Sequence, residues 1–142
     1  MASKMYGQML SKALNKEIDY DTDAIKVLLV GSTYVPNQDT HVYRSDVTGE
    51  VTGTGYTAGG ITLAGKTVTY DAANNVIMLD ANDVAWANST ITARYAVVYD
   101  DTGTAATSPL LGYVDFGSDQ SSTNGSFTIT WDATGIFRIT VG

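Results

Sequence analysis

The clearest alternation along the chain falls at residues 126–131, where Phe127, Ile129 and Trp131 interleave with Ser126, Thr128 and Thr130. A period of two marks a strand with one buried face. Residues 136–141 repeat the pattern with Phe137, Ile139 and Val141. Residues 90–99 carry it further: Ile91, Ala93, Tyr95, Val97 and Tyr99 share one face, and Thr92, Arg94 and Val98 the other. The run 110–116 is rich in β-formers and is placed to pair back on 90–99. Residues 25–30 (I-K-V-L-L-V) are apolar on both faces, which predicts a strand inside a sheet. Shorter strands are predicted at 61–63, 66–70, 76–80 and 83–87.

The segments between these runs are turn-forming. Four glycines between 51 and 60 predict bulges and bends around Tyr56. Residues 71–75 and 132–135 read as turns, and the Gly/Ser/Asp/Asn stretch 117–125 as a loop. Residues 100–109 form a polar connection longer than an ordinary hairpin loop. Asp39 could cap a short helical turn over 41–46, with a strand there as the alternative. At the N-terminus the period changes. Met5, Met9, Ala13 and Tyr6, Leu10, Leu14 form two adjacent i, i+4 rows, which predicts a helix over 2–16. Ser3 is its candidate cap, and Gly7 weakens it by about 1 kcal/mol relative to Ala. The pattern predicts a mainly β protein: an antiparallel β-sandwich of jelly-roll type with about eight strands, preceded by one short helix. Residues 1–18 are expected to form a helical arm, and 19–142 the sandwich domain.

The 142 residues suffice for one domain with a core of its own. There is no cysteine, so disulfides and thiolate metal sites are excluded. No run is long enough for a helical membrane span, and no Sec-type apolar leader is expected. The net charge of −7 is unevenly placed. Residues 1–16 carry Lys4, Lys12 and Lys16 and no acid; the rest carries five basic and fifteen acidic residues. An acidic body without a basic stripe excludes nucleic acid as a partner. The basic leader reads either as a solvated helix face or as a docking element for an acidic partner surface.

Candidate chemistry is sparse. His41 is the sole histidine and no G-x-S-x-G elbow is present, so a hydrolase triad has little to stand on. Asp19-x-Asp21-x-Asp23 opens like a calcium loop, but its sixth and twelfth positions are Ala24 and Val30 where an EF-hand needs Gly and Glu. Gly53-Thr-Gly55 has no following P-loop lysine. A glycosidase would need paired carboxylates whose spacing sequence does not give. Tyr95, Tyr99 and Tyr113 are read as rim-buried rings, with a carbohydrate groove as the alternative. No cofactor or metal is expected, and no enzymatic activity.

Four segments taken together carry a resemblance: K-M-Y-G-Q-M-L-S-K-A-L-N-K-E-I-D-Y-D-T-D (4–23), I-K-V-L-L-V-G-S-T-Y-V-P-N (25–37), V-T-G-T-G-Y-T-A-G-G (51–60) and T-I-T-A-R-Y-A-V-V-Y-D-D-T-G (90–103). The chain resembles small virion structural proteins of tailed bacteriophages, of the capsid decoration (cement) kind. The resemblance implies a non-enzymatic protein made in the host cytoplasm. It would bind the outer surface of the capsid and clamp neighbouring copies of the major capsid protein, as a homotrimer. The expected partner-binding residues are Lys4, Tyr6, Met9 and Lys12 in the leader, and Asp100, Asp101, Thr102, Thr104 and Pro109 in the loop. The alternative is a carbohydrate- or receptor-binding jelly-roll module of a head fibre, neck or tail.

Overall fold

A computed structural model describes residues 2–142; Met1, the first residue of the expected arm, lies outside the described residues. The fold is a two-sheet antiparallel sandwich of eight strands. In chain order the elements are β1 (Ala2–Met5), α1 (Met9–Leu14), β2 (Ile25–Val30), β3 (Ile61–Thr62), β4 (Thr67–Asp71), β5 (Val76–Asp80), β6 (Val84–Asp100), β7 (Leu110–Ile129) and β8 (Phe137–Thr140). The larger sheet runs β1-β7-β6-β2-β3 and the smaller β4-β5-β8. One long hairpin, β6–β7, organises the molecule in place of the two Greek keys of a jelly roll.

The expected helix over 2–16 is divided. Residues 2–5 are extended and pair with β7, Ala2 opposite Asp115 and Met5 opposite Gly112. The helix keeps only Met9–Leu14 and closes at Lys16, which takes a left-handed φ of 65°. Tertiary pairing overrides helical periodicity here, because an isolated helix this short has little stability of its own. The stretch 117–125 is also not a loop: it belongs to β7. Its low β-propensity is offset by a ladder of small hydroxyls across the hairpin. Ser89 Oγ meets Ser122 Oγ at 2.8 Å and Thr92 Oγ1 meets Ser121 Oγ at 2.8 Å. The possible turn after Asp39 appears as a 3-10 turn at Arg44–Asp46, where the Asp46 carboxylate accepts the Val42 and Tyr43 amides.

The large sheet is apolar on both faces. Val27 and Leu29 of β2 face the small sheet and join the main core with Trp86, Ile91, Ala93, Phe127 and Phe137. Leu28 and Val30 face outward into a second core with Tyr6, Tyr34, Val97, Tyr99 and Tyr113. The segment 31–47 lies over that second core through Tyr34 and Val47. A register shift between Ala93 and Tyr95 decides which face each residue of β6 uses. Before it, the odd positions Ile91 and Ala93 point to the main core; after it, the even positions Ala96 and Val98 do. Tyr95, Val97 and Tyr99 therefore face the second core and not, as the uninterrupted alternation predicts, the face of Ile91. One bulge exchanges the two faces of a strand.

The hairpin also curls. In a straight strand Phe116 and Phe127 would be about 36 Å apart, yet their rings lie 6.0 Å centroid to centroid. Left-handed backbone at Asn88, Gly117 and Asn124 accompanies the bend. The far half of the hairpin thus folds back over the main core.

Candidate functional site

The two stretches expected to compete for a partner lie at the same pole. β1 runs antiparallel to β7, which brings its C-terminal end to the start of β7, next to the hairpin tip. The chain then enters α1. From α1, Lys12 Nζ donates to Tyr43 Oη at 2.7 Å and pairs with Glu17 at 3.1 Å. Tyr43 in turn bridges Pro109, the last residue of the hairpin loop. The Arg44 amide donates to the Ser108 carbonyl at 2.8 Å, and the Leu110 amide to the Val42 carbonyl at 2.9 Å. Tyr43 and Arg44 are the residues that join arm to loop. The expected helical turn over 41–46 includes both, but periodicity gave no signal that they would bridge arm and loop.

The loop is a stitched knuckle. Thr102 Oγ1 lies 2.7 Å from Thr107 Oγ1 and 3.1 Å from Ser108 Oγ, and Ser108 Oγ donates to the Thr104 carbonyl at 2.8 Å. The Gly103 amide donates to Asp101 Oδ1 at 2.9 Å. Asp101 pairs with Lys26 at 2.8 Å, and that lysine holds its carboxyl below the usual range. A 3-10 turn at Ala105–Thr107 packs against the turn at Arg44–Asp46. Such local side-chain bonding fixes an exposed loop without a hydrophobic core.

The nine expected contact residues divide. Thr102 and Thr104 are exposed on the knuckle, and Lys4 is exposed on the edge strand β1. Lys12 and Asp101 are half-buried in their ion pairs. Tyr6, Met9, Asp100 and Pro109 are buried and form no surface. Tyr6, 2% exposed, meets Tyr34 Oη at 2.7 Å, and Tyr34 Oη meets His41 Nδ1 at 2.9 Å. Because the Asn37 amide also points at Nδ1, that nitrogen accepts, and the chain of donors runs Tyr6 to Tyr34 to His41. Burial drives the Tyr6 hydroxyl far above its ordinary pKa, so it acts as a neutral donor. Tyr6 and Met9 fasten the leader to the body.

Two residues of one apolar row of α1 are exposed. Leu10 is 48% exposed and Leu14 76%, one turn apart on the outer face. A small apolar hollow of 250 Å³ between Met5, Met9, Leu10 and Ile139 lies beside them.

A second concavity, of 510 Å³, opens where β7 curls. Phe116 and Phe127 lie among its lining residues, with Gln120, Ser121, Ser126 and Thr128 contributing polar groups. Among the described residues, no cluster of three or more histidine or acidic side chains is arranged to hold a metal ion. The Asp19–Asp23 stretch bonds internally: the Asp19 amide donates to Asp23 Oδ2 and the Thr22 amide to Asp19 Oδ1. No described helix is long and apolar enough to cross a membrane.

Comparison of the chain with protein-family models, with curated proteins and with solved structures gives no match.

Proposed function

We propose that the chain is a structural protein of a tailed-phage virion that binds the outer surface of the capsid through the pole formed by α1, residues 42–46 and the knuckle 102–107. The protein is non-enzymatic in this reading, and its partner is the major capsid protein. One observation carries the assignment of the pole: Leu10 and Leu14 face solvent on a short helix that is fastened at both ends. Exposed apolar side chains on a rigid mount, ringed by polar groups, suit a protein contact. The resemblance of the segments at 4–37, 51–60 and 90–103 supports the virion role. Binding to the assembled shell and not to its free subunits would stabilise the shell by mass action. A homotrimer on a symmetry axis would multiply weak contacts threefold. A monomer by light scattering would count against the trimer.

The test is mass spectrometry of particles incubated with the protein, read as copies per major capsid protein. Hundreds of copies support decoration, and a dozen or fewer point to neck or tail. Leu10→Ser with Leu14→Ser is expected to lower occupancy by about tenfold or more while the melting curve stays unchanged. Unaltered occupancy would remove the pole from the reading.

The second reading, a glycan- or receptor-binding module of a fibre, is favoured by the concavity at Phe116 and Phe127, where apolar rings and hydroxyl groups occur together. A glycan array with no hit would dispose of its carbohydrate form.

A further inference from the structure

The connector from α1 to β2 is tied to the hairpin tip at one place. The Asp101 amide donates to the Ala24 carbonyl at 2.9 Å, and within the connector the Ile25 amide turns back to the Asp23 carbonyl at 3.0 Å. Beside these bonds two carboxyl groups meet. Asp100, the last residue of β6, is 2% exposed and its Oδ2 has no hydrogen-bond partner. The Asp101–Ala24 bond places Asp23 of the connector beside it, and the Asp23 carboxyl acts on Asp100 as a hydrogen-bonding and like-charged neighbour. An ionised carboxylate only accepts, so two of them in contact leave a buried oxygen unserved and two like charges facing.

The surroundings do not neutralise the second charge. Lys66 reaches the pair, but its Nζ donates to the Asp23 main-chain carbonyl. Asp19 offers its amide to Asp23 Oδ2 at 2.9 Å. On the hairpin side Asp101 is occupied by Lys26 at 2.8 Å. The Tyr20 hydroxyl is turned to the Asp80 carbonyl at 2.9 Å. A proton between the carboxyls removes one charge and supplies the missing bond.

We propose that Asp23 and Asp100 hold a single proton between them and so form a latch that fastens the 19–24 connector to the hairpin tip. Burial and the neighbouring Asp23 push the Asp100 carboxyl up to about 8, while the hydrogen bond from Asp100 draws Asp23 below its ordinary value. The proton thus sits on Asp100. In the open connector Asp100 is solvated and ionises near its ordinary 3.8. The closed state therefore binds one more proton than the open state throughout the range between these values. By linkage the latch is tightest near pH 4: it loosens as pH rises to about 8 and changes no further above that, and below about pH 4 the lowered Asp23 carboxyl gives the open state the extra proton and loosens it again. Opening it releases the tether on the C-terminal side of α1, the helix that carries Leu14. The device is independent of what the pole binds.

Amide hydrogen exchange followed by NMR, corrected for intrinsic rates, tests the latch. Protection of the Asp101 and Ile25 amides is expected to fall by at least about tenfold between pH 5 and pH 8 in the wild type. In Asp100→Asn, whose amide donates without titrating, it should stay level. Equal pH profiles for the two proteins would overturn the proposal. The carboxyl carbon of Asp100 in the wild type decides the matter even if the variant folds poorly: an NMR titration midpoint well above 6 supports the latch, and one below 5 refutes it.

Discussion

Glu50 holds the glycine-rich segment to the body, and removing it should be among the costliest single changes outside the core. Its Oε2 accepts from Tyr56 Oη at 2.6 Å and from the Gly59 amide at 2.7 Å, and its Oε1 pairs with Arg44 at 2.7 Å. The same tyrosine hydroxyl accepts the Leu29 amide at 3.1 Å, in a strand residue that is fully buried. Hydrogen bonds to a charged group contribute about 1.5 to 3 kcal/mol each. Three would sum to about 4.5 to 9, but water can reach a side chain that keeps 18% of its surface, and coupled bonds do not add. Glu50→Ala is therefore expected to cost about 3 kcal/mol, a large part of the roughly 5 to 15 kcal/mol that stabilises a domain. At about 2 to 4 °C per kcal/mol for a chain of this size, the melting temperature should fall by roughly 10 °C. Urea unfolding of the wild type, Glu50→Ala, Tyr56→Phe and the double variant gives the coupling between the two side chains, expected at about 1 to 2 kcal/mol. A loss below about 1 kcal/mol for Glu50→Ala, with no coupling, would refute the reasoning.

Other expectations follow from the same geometry. Gly112→Ala would place a Cβ against the Phe137 ring and the Lys4 carbonyl; it should cost about 1 to 3 kcal/mol and speed exchange of the β1 amides, readable by hydrogen-exchange mass spectrometry. Gly60→Ala is expected to be worse, because φ is +81° and the new methyl would overlap the Val27 carbonyl; circular dichroism melts will show it. Stability should pass through a maximum between about pH 4 and 6. Asp46 is held low by two backbone amides and Asp101 by Lys26, so their contribution is present above the unfolded value near 4 and is lost as pH falls. Asp100 acts oppositely: its raised value removes stability as pH climbs from about 4 to about 8. At about 1.4 kcal/mol per unit the full shift would be about 6 kcal/mol, reduced to roughly 2 by relaxation around the coupled pair. Asp100→Asn should abolish that decline in a pH series of urea melts, and an unchanged slope would contradict the assignment.

The buried strands were legible because a half-buried strand imposes period two, as around Phe127 and Phe137, and a strand buried on both faces a short continuous apolar run, as at 25–30; both lie where the pattern puts them. What failed was local. The leader carries helical spacing, yet residues 2–5 pair with β7, since spacing of apolar residues does not record an available sheet edge. The run 117–125 has turn composition, but it lies across from Ser89, Ile91 and Thr92, and hydroxyl pairs compensate for weak propensity. The bulge before Tyr95 is invisible in a pattern that looks continuous from 91 to 99. At the pole, the knuckle was marked by its length and polarity. Leu10 and Leu14 are exposed although their spacing matches the buried row, because amphipathic spacing cannot say which apolar row faces in.

The order of the large sheet has a consequence for synthesis. β2 leaves the ribosome with apolar residues on both faces, but its partner β6 ends seventy residues later, Ile25 pairing with Asp100. At about 5 to 20 residues per second, that gap lasts roughly 4 to 14 seconds. The edge strand β1 waits longer still, since Ala2 meets Asp115. During that interval I-K-V-L-L-V is an uncovered, self-complementary strand, the kind of segment that seeds aggregation. The yield of folded protein in a cell should then depend more on translation speed and on holding chaperones than on the final stability of the sandwich.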